Sequence, residues 1–180
     1  MSGVLSGDGL TVGSVSGTKT LQFDRYSSTE SLGITALTHF DRFIVDGQSE
    51  VSFYNALDLS TVGAFEFSLS VAAIAEEEAI LSFRNGVSDW NENVGFQIDM
   101  DDLSDLSIGS FTLISAVDSV DALAGIDAVL NFGTISVETL NLKIGSTAEF
   151  NGYMVGLELA KVSGIDGAAD ELRLNIAAVV

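Results

Sequence analysis

A chain of 180 residues, 47% of them hydrophobic, has the length of one domain and enough apolar side chains for a sizeable core, which argues against disorder. With 26 acidic residues against 7 basic ones the net charge is -19, and this excludes nucleic acid and anionic membrane surfaces, which are bound through Lys and Arg. The lack of cysteine excludes disulfides, zinc-thiolate sites and thiol catalysis, and no apolar run approaches the roughly 20 residues of a membrane-spanning helix.

A transmembrane barrel would need strands of about 9 to 11 residues with aromatic girdles at both ends, and no girdle is visible. Ser2 to Gly17 is small and polar, and is expected to be a flexible or edge-docked segment ahead of a single β-rich domain over 18–180. It has neither the charged start nor the apolar run of a secretory signal, which leaves export open. Thr18 to Phe23 is the first strand. Leu37 to Val45 follows, closed by Asp46 and Gly47, a turn pair in which glycine would supply a positive φ. Val51 with Phe53, and Leu57 with Leu59, continue the alternation.

Ala64 to Val71 carries the clearest period of two, with Phe65, Phe67, Leu69 and Val71 in one row and Glu66 in the other. Ala72 to Glu78 is expected to be a loop or a short helical turn, with Glu76, Glu77 and Glu78 holding it in water. Ala79 to Phe83 resumes a strand that stops at Asn85 and Gly86. Val87 to Asn93 is expected to be a polar loop carrying Trp90, the single tryptophan. Gly95 to Met100 and Phe111 to Ser115 are strands.

Between Asp118 and Phe132 the apolar residues Val120, Leu123, Ile126, Val129 and Leu130 fall at spacings of three and four, which makes this the best helix candidate, with a pair of irregular turns around Gly125 as the alternative. Ile135 and Val137 alternate, and Leu140, Leu142 and Ile144 continue one residue out of phase, so a bulge or strand break is expected near Thr139. Ala148 with Phe150, Tyr153 to Leu159 and Leu172 to Ile176 complete an all-β pattern.

Gly47, Gly86, Gly133 and Gly152 close strands at intervals of 39, 47 and 19 residues, near multiples of about twenty. Such spacing favours a parallel β-helix or solenoid, in which short rungs stack. An antiparallel β-sandwich or jelly roll is the alternative, since longer alternating strands suit it equally. The run Gly109-Ser-Phe-Thr-Leu-Ile-Ser-Ala116, the loop with Gly125-Ile-Asp127 and the closing Asp170-Glu-Leu-Arg-Leu-Asn-Ile-Ala177 resemble the passenger region of bacterial autotransporter-like surface proteins. Phe43-Ile-Val-Asp-Gly47 with Val51, Phe53 and Ala56-Leu-Asp-Leu59 is similar to solenoid rungs of the same proteins. The resemblance covers about the last two thirds of the chain. It implies a right-handed parallel β-helix displayed outside the cell and concerned with adhesion, although these residues include neither a translocator barrel nor a leader.

Asp99, Asp101, Asp102 and Asp105 form the densest acidic cluster, of the oxygen-donor kind that calcium requires. They do not make an EF-hand, because Ser104 and Ser110 stand where glycine and the bidentate acid belong. Calcium is thus the one cofactor considered, against a solvated strand end. Trp90, with Asn85, Asp89, Asn91 and Asn93 around it, could stack a sugar ring while the polar groups bond its hydroxyls; the alternative is a tryptophan folded over the core. His39, expected on a strand, brings no Ser-His-Asp order with it. Many carboxylates are present, but none can be paired for glycosidase work. The expectation is a non-catalytic, secreted or surface-displayed structural or adhesive module. Its partners would be host or matrix glycans or proteins, and open strand edges would permit self-association. A carbohydrate-binding sandwich stands second and a polysaccharide-active enzyme third.

Overall fold

The computed structural model describes residues 6–7, 10–15, 17–24, 40–47, 49–53, 56–69, 79–101, 109–116, 120–162 and 170–179. Among these the fold is all-β, in mixed sheets without a closed barrel. Sixteen strands occur in chain order: β1 Ser6–Gly7, β2 Leu10–Val15, β3 Thr18–Phe23, β4 Arg42–Asp46, β5 Val51–Phe53, β6 Leu57–Leu59, β7 Ala64–Leu69 and β8 Leu81–Phe83. The second half holds β9 Val87–Trp90, β10 Gly95–Met100, β11 Gly109–Ala116, β12 Asp127–Phe132, β13 Glu138–Lys143, β14 Thr147–Phe150, β15 Tyr153–Ala160 and β16 Glu171–Ala178.

An eight-stranded sheet runs β1-β2-β3-β4-β7-β10-β12-β13, a six-stranded sheet runs β14-β15-β16-β11-β8-β5, and β6 pairs with β9. Within the large sheet β3, β4, β7, β10 and β12 are consecutive parallel neighbours, and in the second sheet β5, β8 and β11 are parallel as well. The pair β6 and β9 is also parallel. Antiparallel strands flank these blocks: β1 and β2 beside β3, β13 beside β12, and β16, β15 and β14 beside β11.

Register explains why the alternation in the sequence is so regular. Leu21, Phe43, Phe65, Phe96, Ala128 and Leu142 are Cα partners across the large sheet, as are Phe23, Val45, Phe67, Ile98, Leu130 and Leu140. All of these are buried except Leu140, which is partly so. Because one pleat face is inside at every strand, a slip of one residue would expel a whole row of Phe, Ile and Leu, and this sets the pairing. Phe43, Phe65 and Phe96 stack with centroids 5.3 and 5.4 Å apart, and Phe53 and Phe83 of the second sheet stack at 5.5 Å. Phe43 meets Phe53 edge-on at 6.4 Å, so the two sheets face one core. Trp90 joins from the third sheet, 6.0 Å from Phe65 and 5.9 Å from Phe83.

Several expectations need correction. The segment expected as a helix is a single 3-10 turn at Asp121–Leu123 followed by β12. Val120 and Leu123 dip into the core from the turn, Gly125 leaves it at φ +77°, and Ala128, Leu130 and Phe132 then alternate against β10. The three-and-four spacing arose where a turn abuts a strand, and five residues, Ala128 to Phe132, gain ladder partners on both sides that a lone helix would lack. Val87 to Trp90 is a strand and not a loop, paired to β6 with an irregularity that leaves Ser88 out of step. Ile135 and Val137 lie in the β12–β13 connection, 99% and 58% exposed, so the phase slip is a strand break just before β13. The register irregularity within the second sheet lies instead in β11, between Thr112 and Ile114.

Glycine acts in two different ways. Asn151 (φ +52°) and Gly152 (φ +81°) make the tight β14–β15 turn, which needs positive φ at both positions. Gly47, expected to serve likewise, has no positive φ. Its amide donates to Ser68 O at 2.8 Å, and a Cβ there would lie 3.0 Å from Leu69 Cδ2 and 3.3 Å from Leu69 Cα. Glycine is required at 47 because the chain passes close over β7.

Candidate functional site

Of the two groups singled out in the sequence, Trp90 packs into the core, while the acidic cluster lies only in part within the described residues. Successive side chains on a strand point to opposite faces, so Trp90 turns inward and Asp89 outward. The indole is 7% exposed and lies against Phe65 and Phe83, leaving no open ring face on which a sugar could stack. Its Nε1 is buried with no hydrogen-bond partner, at a cost of about 1–3 kcal/mol, which the ring packing offsets. Asn85 lies in the exposed turn after β8, and the Asn91 side-chain oxygen accepts the Asn93 backbone N–H at 2.9 Å, closing the turn before β10. The core alternative for Trp90 is therefore the arrangement found.

This burial gives a direct test. The tryptophan emission of the native chain should be that of an apolar environment and should resist acrylamide quenching, then move to the red and become quenchable in a single denaturant transition. Native emission already at the solvent-exposed position would contradict the packing against Phe65 and Phe83.

Asp99 lies on the outer face of β10. Its carboxylate accepts the Asn131 side-chain amide at 2.7 Å and the Gln97 amide at 3.0 and 3.1 Å. Asn131 in turn accepts from the Thr139 hydroxyl at 3.0 Å, making a polar row across β10, β12 and β13. Asp101 follows the strand, while Asp102 and Asp105 fall outside the described residues. Among the described residues no group of three or more His, Asp or Glu is gathered as metal ligands. His39 and Glu76 to Glu78 also fall outside them. Elsewhere, the Ser60 hydroxyl and backbone N–H both donate to the Asp58 carboxylate, at 2.5 and 2.9 Å, and hold its pKa below the usual value.

A third place was not singled out in the sequence. A cleft of about 400 Å³ opens over the second sheet, where Ser82 of β8, Ser115 of β11 and Glu171 of β16 stand opposite one another on adjacent strands. Phe83, Arg84, Ala116, Val162 and Asp170 complete its lining. Each serine is flanked by inward residues, as Leu81-Ser82-Phe83 and Ile114-Ser115-Ala116, so the alternation that builds the core turns the hydroxyls outward.

The acidic side is held firmly. Asp170 is 5% exposed, and its carboxylate accepts the Val162 N–H at 2.7 Å while its own N–H donates to Ala160 O at 3.1 Å. The Glu171 carboxylate accepts from Arg173 Nε at 2.7 Å and pairs with the same guanidinium at 2.6 Å. The Arg84 backbone N–H donates to Phe53 O at 2.9 Å, tying the turn after β8 to β5. The cleft thus offers hydroxyls, carboxylates and a guanidinium beside an apolar edge. A sequence signal existed for it: apolar-Ser-apolar recurs at 51–53, 81–83 and 114–116. A scan of protein-family models, a search of curated proteins and a search of solved structures each found no match to this chain.

Proposed function

We propose that the chain is a β-solenoid module, secreted or displayed on a bacterial surface, with a structural or adhesive role and no catalysis of its own. The observation that carries this reading is the order of parallel pairing. Strands β4, β5 and β6 are followed along the chain by β7, β8 and β9, each parallel to its predecessor, and β10 and β11 continue the first two series. A chain that returns to the same three positions in turn is what stacked coils require. The resemblance to autotransporter-like passengers points the same way, and the acidic balance suits a protein that must stay dissolved outside the cell.

A second reading, a carbohydrate-binding β-sandwich, draws on the antiparallel strands β14, β15 and β16 and on the Phe132–Phe150 stack, 5.0 Å between the two large sheets. Those strands lie to one side of the parallel blocks, where capping strands would also lie.

The purified chain should be retained, saturably and reversibly, on a panel of immobilised matrix proteins and glycans. Failure to bind any member of a broad panel would remove the adhesive role and leave only a structural one.

A further inference from the structure

We propose that the cleft over β8, β11 and β16 is a saccharide site, taking one or two rings of a neutral glycan. This rests on the adhesive reading above and gives it a location. Ser82, Ser115 and Glu171 come from neighbouring strands, so their side chains are spaced by roughly 4.8 Å, comparable with the separation of hydroxyls across one pyranose ring. Serine hydroxyls both donate and accept, carboxylates accept, and guanidinium donates, which together meet the mixed demands of sugar hydroxyls. Val162, 40% exposed, supplies an apolar edge for the ring's C–H face.

Size and charge narrow the ligand. A volume of about 400 Å³ is within the roughly 300–1,000 Å³ usual for small ligands. Two carboxylates in the lining, within a chain of net charge -19, disfavour uronic and sialic acids as well as phosphates, so the sugar is neutral. The frame is also preorganised: both serines sit on strands of the parallel block, Glu171 is held by Arg173, and Asp170 by the Val162 amide. Little ordering is left to oppose binding.

Amide chemical shifts of the whole chain, followed during titration with cellobiose, lactose, diacetylchitobiose and glucuronic acid, test this. At least one neutral disaccharide should give saturable shifts centred on residues 82, 84, 115 and 171, with glucuronic acid weaker. Ser82→Ala and Ser115→Ala should each weaken binding by about threefold to tenfold, as loss of one hydrogen bond predicts. Both serines face outward, and unchanged Trp90 emission verifies that each variant is folded. The site is overturned by no shift with any neutral sugar, by shifts centred elsewhere, by indifference to both serine variants, or by stronger binding of glucuronic acid. Retention on the glycan or matrix panel without shifts at these amides would sink the cleft and spare the adhesive role; shifts here with a silent panel would do the reverse.

Discussion

Phe65→Ala is expected to lower unfolding free energy by about 3–5 kcal/mol, the usual cost of removing a buried phenylalanine. Phe65 is fully buried and stands at the junction of all three sheets: it stacks on Phe43 and Phe96 along its own sheet and meets Trp90 of the third, which in turn meets Phe83 of the second. Its parallel neighbours on both sides, β4 and β10, leave no exposed edge through which the cavity could collapse. Against a typical total of about 5–15 kcal/mol, such a loss consumes a large share of the stability. Urea unfolding followed by far-ultraviolet circular dichroism measures it, with Phe65→Leu as the milder control, since leucine refills part of the volume. A Phe65→Ala loss below about 1 kcal/mol would mean that the aromatic stack is not the centre of the core.

The period of two was legible because burial enforces it. Phe65, Phe67 and Leu69, Phe96, Ile98 and Met100, and Leu172, Leu174 and Ile176 are inside as their spacing predicts. Alternation does not report which strand lies beside which. The parallel neighbours β4, β7, β10 and β12 are separated in sequence by strands of other sheets, and only three-dimensional packing of rows such as Phe43-Phe65-Phe96 selects them. Val87 to Trp90 looked like a loop because Ser88 and Asp89 are exposed polar residues on a short strand, and one inward Trp is too little to show a period. The 3-10 turn before β12 mimicked a helix because Val120 and Leu123 happen to be three apart.

The candidate cleft was hidden for a related reason. Its serines are ordinary outward residues of their strands, and only register brings Ser82, Ser115 and Glu171 into one row. Trp90 and the acidic run drew attention through residue type alone. The indole went to the core, where its ring area is worth most, and Asp99 is engaged by side-chain amides on its own and the next strand.

Ile98→Asp should be at least as damaging as the loss of Phe65 at neutral pH, and its cost should depend on pH in a diagnostic way. Ile98 is fully buried on β10, with Phe67 and Leu130 as its register partners on either side. An aspartate there has no cation to pair with in its row, and an uncompensated buried charge costs about 3–5 kcal/mol. Burial raises the folded-state pKa above the unfolded value of about 3.9. Below that value the new carboxyl is protonated in both states, so the variant loses only packing and polar-burial terms. As pH rises toward the folded pKa, the unfolded chain releases the proton first, and stability falls relative to the parent by up to about 1.4 kcal/mol per pH unit. The gap between variant and parent should therefore be smallest near pH 3 and widen upward to the folded pKa. Val129→Asp provides the contrast, because Val129 faces outward between Gln97 and Asn141 and is only partly buried. It should cost about 1 kcal/mol, the range of strand propensity, with little pH dependence. Equal losses at 98 and 129 would contradict the inward and outward faces on which the whole sheet assignment depends.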